Sequence, residues 1–89
     1  MMKKELLVEN KLGLHARAAA QLVKCASVYQ SKVTLIKDGL EVDGKSIMGV
    51  MMLAAEKGSR VTVHVEGDDE TNAFAGIERL FAGKFGEKE

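Results

Sequence analysis

The chain has 89 residues, 46% of them hydrophobic, with 13 basic and 13 acidic side chains, enough for one domain spanning 1–89 with its own core. Zero formal net charge argues against nucleic acid as the main partner, because neutralising a phosphate backbone takes a basic excess or a basic face. A single cysteine, Cys25, rules out an internal disulfide, and no His or Cys at ligand spacing accompanies it, so a reducing compartment and no metal site are expected.

The longest apolar run near the start is Leu6-Leu7-Val8, far too short for a signal-peptide core or a membrane span. A cytoplasmic protein is expected, without membrane insertion. Residues 3–9, too few for a helix and rich in Leu and Val, read as a strand. Residues 10–14 make a turn containing Gly13. Residues 16–28 carry Ala19, Leu22, Val23 and Ala26 at helical spacing. Lys32–Lys37 is a β-branched strand, and Asp38-Gly39 is a tight-hairpin signal leading into a returning strand over Leu40–Asp43.

Ser46 is placed to cap a short helix over 47–55, with Gly58 just beyond its end. Arg60–Glu66 alternates valine with polar residues and is the clearest strand. Gly67-Asp68-Asp69-Glu70 opens a last helix, with Phe74, Ile77 and Phe81 as its buried stripe. Glu87-Lys88-Glu89 reads as a frayed end. The order is β-α-β-β-α-β-α: an α+β fold in which three helices cover one face of a mostly antiparallel four-stranded sheet.

His15 lies directly before the first helix. Helix N-termini carry amides without internal partners and a partial positive charge, so they attract anions. The positive end also disfavours a second positive charge on the ring, leaving a lone pair for attack. Arg17, two residues on, can bring its forked donors to the same phosphate oxygens. Phosphoryl transfer asks mainly for positioning and positive electrostatics. The chain has no nucleotide-cradling Gly-x-x-x-x-Gly-Lys-Ser run and no carboxylate cluster suited to magnesium. A carrier with no cofactor of its own, working between two protein partners, is therefore expected.

Gly13-Leu14-His15-Ala16-Arg17 resembles the active-site motif of the HPr family, the histidine-containing phosphocarriers of the bacterial phosphoenolpyruvate-dependent phosphotransferase system. Lys45-Ser46-Ile47-Met48-Gly49-Val50-Met51 resembles that family's regulatory-serine region, and the separation of the two blocks also fits. The resemblance implies an open-faced β-sandwich with strand order 1-4-2-3. It implies that His15 takes a phosphoryl group from Enzyme I, which draws on phosphoenolpyruvate, and passes it to an EIIA domain. Arg17 matches the family's phosphate-stabilising arginine. Ser46 aligns with the serine targeted by HPr kinase. Ala20, Lys24, Ile47, Met48 and Met51 match the positions where the family docks partners, and a monomer is expected.

One position departs from the family pattern. The motif usually continues Arg-Pro-Ala, whereas Arg17 is followed here by Ala18. Proline suits the first turn of a helix, and alanine adds an N–H that could face the phosphate. The change leaves the branch open, with the nitrogen-related phosphocarriers, mainly regulatory and little concerned with sugar transport, as an alternative home.

Competing readings are weaker. A purely regulatory module worked through Ser46 would not need a nucleophile at position 15. RNA-recognition modules share a similar element order but stack bases on sheet aromatics, and these strands contain none. An acyl-phosphate hydrolase would need a phosphate-gripping loop that is absent from the sequence. His64 reads as an exposed strand residue and Cys25 as a helix residue without a redox role. Of Met48, Met51 and Met52, at least one should be exposed, because a two-turn helix cannot turn all three inward.

Overall fold

The alternating segment at Arg60–Glu66 becomes an interior strand of the sheet. The computed structural model describes residues 1–88. In chain order it contains β1 (Met2–Leu7), α1 (Ala16–Ser27), β2 (Lys32–Lys37), β3 (Leu40–Asp43), α2 (Ile47–Met52), β4 (Arg60–Glu66) and α3 (Glu70–Ala82), followed by one 3-10 turn at Lys84–Gly86. The strands run β1-β4-β2-β3, every neighbouring pair antiparallel. The order implied by the family resemblance is the observed one.

Register follows from the valines. Val61 sits opposite Leu6, Val63 opposite Leu35 and Val65 opposite Val33. All of these are buried under the helices, and each contributes roughly 1.5–3 kcal/mol in side-chain burial. Thr62, His64 and Glu66 alternate to the opposite, helix-free face. Asp38 and Gly39 turn the β2–β3 hairpin with φ of 50° and 82°, as a primed two-residue turn requires.

The helices bring their apolar stripes to this valine layer. α1 buries Ala18, Ala19, Leu22 and Ala26, with Val23 half-buried at the edge. The expected Phe74, Ile77 and Phe81 stripe of α3 is buried, joined by Ala73. α2 buries Val50 alone.

Three boundaries differ from expectation. β1 begins and ends earlier than residues 3–9: Val8 leaves the regular ladder but stays tied to the β4 side, donating to Ser59 O at 2.8 Å and accepting from Gly58 N at 2.8 Å. α2 stops at Met52 rather than running to residue 55, because Ala54 turns left-handed at φ 49°. Gly58, expected just past that helix, instead serves the turn into β4 at φ 91°.

The third difference is the C-terminus, which is not a frayed end. Phe85 is buried and meets Phe81 with ring centroids 5.1 Å apart. Lys84, Phe85 and Gly86 all take positive φ, at 55°, 54° and 78°. Burying the Phe85 ring outweighs the freedom of a tail, and the chain is turned back toward the start of α1. Glu89 lies outside the described residues.

Candidate functional site at the start of the first helix

The loop ahead of α1 is fixed by backbone contacts. Gly13 has φ 65°, and a Cβ there would lie 2.4 Å from the Ala55 carbonyl oxygen, so this position needs glycine twice over. Leu14 N–H donates to that same Ala55 oxygen at 2.8 Å, and the Leu14 side chain is buried. Asn10, wholly buried, donates from Nδ2 to Gly13 O at 2.8 Å, and its backbone carbonyl accepts from Gly13 N at 3.2 Å.

This loop delivers His15 in an extended conformation, φ −75° and ψ −178°, as the N-cap of α1. Its carbonyl accepts the first helical bond, from Ala19 N at 2.8 Å. Its ring does what a serine or aspartate cap usually does: Nδ1 accepts the Arg17 backbone N–H at 3.3 Å. The other ring nitrogen, Nε2, lies 2.7 Å from Glu87 Oε2.

These two contacts together define the ring's proton. A carboxylate can only accept, so Nε2 carries the hydrogen and donates it to Glu87. Nδ1 accepts an amide hydrogen, so Nδ1 holds the lone pair. That lone pair points at the helix N-terminus, where the Ala16 and Ala18 amides have no acceptor within the helix. The Glu87 carboxyl is held below the usual carboxylate range, first by the His15 hydrogen bond and further by Asn10, whose Nδ2 also reaches Oε2 at 3.1 Å.

Arg17 is exposed and lines a shallow hollow beside the ring with Lys11, Leu12, Gly86, Glu87 and Lys88. Ala18 is buried against the core, so the residue in the family's proline position packs inward.

Ser46 caps α2 as expected, its Oγ accepting Gly49 N–H at 3.1 Å. The five expected docking residues are all exposed: Ala20 and Lys24 on α1, Ile47, Met48 and Met51 on α2, which packs beside α1. Met52 and Leu12 are exposed too, so all three methionines of α2 reach solvent. His64 is less exposed than expected: its Nε2 is shielded from solvent and lies 4.0 Å from Glu66. Cys25 is half-buried in α1, and burial pushes its thiol up, which makes it a poor nucleophile. Among the described residues, no group of three His, Cys, Asp or Glu side chains is placed to hold a metal. No helix among them is long and apolar enough to cross a membrane.

Sequence reasoning missed Asn10 and Glu87. The available signal for Glu87 was Phe85, four residues after Phe81, an apolar anchor beyond the helix that implies a docked tail.

One histidine caps a helix with its unprotonated nitrogen on the Arg17 amide, the Arg17 side chain is exposed nearby, and the sequence carries no nucleotide-cradling motif. That arrangement suits a small anionic group, as the site of a phosphoryl carrier must. Comparison with known proteins gives the carrier its family. The model of the PTS HPr component phosphorylation site matches residues 2–83. The phosphocarrier protein HPr of Xylella fastidiosa strain 9a5c is 51% identical over 87 residues, covering 98% of each chain. That of Cupriavidus necator strain H16 is 48% identical over the full length of both. The crystal structure of HPr-C-His from Thermoanaerobacter tengcongensis superposes with a TM-score of 0.96 at 42% identity, covering all of both chains. The chain belongs to the HPr family of phosphotransferase-system phosphocarriers, proteins that are phosphorylated on histidine and are not themselves catalysts.

Proposed function

We propose that His15 is the carrier residue and that its Nδ1 accepts a phosphoryl group from phosphorylated Enzyme I and passes it to an EIIA domain. The observation that carries this reading is the ring's orientation, with Nε2–H on Glu87 and the Nδ1 lone pair at the N-terminus of α1. In the acceptor step the lone pair attacks phosphorus in line, the N–P bond forms, and the partner's bond to phosphorus breaks with its electron pair staying on the partner. Charge in a loose transition state lies on the peripheral oxygens. The Arg17 amide, released from Nδ1, and the exposed Ala16 at the start of α1 offer backbone N–H groups to those oxygens, whereas Ala18 is buried and does not. The Arg17 guanidinium adds a forked donor from the hollow.

Ala20, Lys24, Ile47, Met48 and Met51 form the docking surface in this reading. Exposed methionines adapt to more than one partner shape. Ser46 is the regulatory site: a phosphate there would sit at the α2 N-terminus and repel an acidic partner surface through its charge.

The test is incubation with phosphoenolpyruvate, Mg²⁺ and Enzyme I, run with sugar-branch and nitrogen-branch enzymes side by side. One acid-labile phosphoryl group per chain is expected. A His15→Ala variant that still accepts it would show that the carrier residue lies elsewhere.

A further inference from the structure

We propose that Glu87 is a positioning residue for phosphoryl transfer: its carboxylate holds the Nε2 proton of His15 and so keeps Nδ1 bare before transfer and supports the imidazolium after it. The inference rests on the carrier reading of His15.

The carboxylate is fixed from two sides. Oε2 lies 2.7 Å from His15 Nε2 and 3.1 Å from Nδ2 of Asn10. Asn10 is itself buried and pinned to Gly13 O, so the group that orients Glu87 is part of the loop that orients His15. Delivery comes from the tail. Two non-glycine residues in succession, Lys84 and Phe85, adopt left-handed backbone, a conformation that L-residues avoid unless the surroundings impose it. Phe85 is anchored against Phe81, and the turn that follows aims Glu87 at the ring. A merely solvated tail has no reason to hold that conformation.

The chemistry needs such a partner. In the neutral ring one nitrogen carries hydrogen and the other the lone pair, and a free imidazole exchanges the two. A carboxylate at Nε2 selects the tautomer with Nδ1 bare. When Nδ1 takes phosphorus, Nε2 keeps its hydrogen, so both nitrogens are substituted and the ring becomes cationic. Glu87 then faces a positive ring at hydrogen-bond distance. On donation to the next acceptor, the N–P electron pair returns to Nδ1 and the ring leaves as the neutral Nε2–H tautomer. The same carboxylate therefore serves both half-reactions, as an aspartate does for the histidine of a serine hydrolase. The hollow that Glu87 lines also carries Arg17 on α1, Lys11 on the loop and Lys88 on the tail, all cationic, with Glu87 the carboxylate among them.

The test uses two variants of the whole chain, Glu87→Ala and Glu87→Gln, with methyl chemical shifts reporting that each is folded. Nitrogen-15 spectra of the His15 ring at a pH where it is neutral should show the wild-type Nδ1 unprotonated and Nε2 protonated. In Glu87→Ala the two nitrogens should move toward averaged shifts. The rate of phosphoryl acceptance from Enzyme I should fall by roughly tenfold, most of it from losing the carboxylate that faces the ring as it becomes cationic, since one pKa unit of such stabilisation is a factor of ten. In Glu87→Gln the amide oxygen can still accept from Nε2, so the tautomer should persist, while acceptance from Enzyme I still slows because a neutral amide does not support the cationic ring. Wild-type ring shifts and rate in Glu87→Ala would overturn the inference alone, provided wild type is phosphorylated on His15. A wild-type protein that takes no phosphoryl group would overturn the carrier reading and this inference with it.

Discussion

Gly13 shows how one residue sets the site. Its left-handed φ and the nearby Ala55 carbonyl leave no room for a side chain. Gly13→Ala should lower unfolding free energy by at least about 2 kcal/mol, combining left-handed strain with displacement of backbone. Urea denaturation would measure it; an unchanged midpoint would mean that the loop can relax without cost. At this scale the sequence was legible where chemistry is local. His15 and Arg17 announced themselves because a histidine before a helix and an arginine two residues later can be read within five positions. Glu87 could not be read that way. Its contact with His15 spans 72 residues and depends on a reversal of the tail at three left-handed residues. Asn10 was equally hidden, since nothing in Asn10-Lys11-Leu12-Gly13 says that the amide is buried rather than solvated.

At the scale of elements, α2 is the part with least support. It has six residues and buries only Val50, so its cap matters more than it would in a longer helix. Ser46→Ala should cost about 1 kcal/mol, the usual loss when a capping hydroxyl is removed. Ser46→Asp keeps an acceptor for the Gly49 amide and adds a negative charge at a helix N-terminus, so its stability should stay within a few tenths of a kcal/mol of wild type. Chemical denaturation of both variants separates the cap from the charge: loss of Enzyme I binding in Ser46→Asp without loss of stability isolates the electrostatic effect. The start of α2 was readable because capping is a local rule. Its end was not: Leu53, Ala54 and Ala55 are good helix formers, and the chain stops being helical because the Ala55 carbonyl must reach Leu14 N.

For the molecule as a whole, Asp69 acts as a latch between distant elements. Although it stands at the N-cap of α3, its carboxylate makes no cap bond there. It accepts instead from Gln30 N and Ser31 N at 2.9 Å and from the Ser31 hydroxyl, joining the start of β2 to the start of α3. These bonds, the Ser31 hydroxyl foremost, hold its carboxyl below the ordinary range. Because the folded state resists protonation more than the unfolded chain does, the stabilisation is complete above the unfolded pKa of about 3.9 and fades as pH falls through the lower folded value. The stability difference between wild type and Asp69→Asn should therefore be constant from about pH 6 upward and shrink toward zero below about pH 4. A difference independent of pH between these limits would mean that the latch is not formed. The sheet itself was predictable in membership because Val61, Val63 and Val65 alternate so cleanly. Its strand order came from family resemblance, since alternation reveals which face a residue takes and not which strand lies beside it.

That order has a consequence for how the chain reaches its folded state. β4 is bonded on both sides, to β1 and to β2, yet it is the last strand along the chain, and Met2 pairs with Val65. Only the β2–β3 hairpin can form from neighbouring residues. Joining β1 to anything else means closing a loop that runs from residue 7 to residue 60, and that entropy is spent before the valines return any burial. A nascent chain that has not yet emerged beyond residue 59 can hold two helices and a hairpin but not the full sheet to seat them. The fold is therefore completed cooperatively and late, when β4 slides between two partners made long before it.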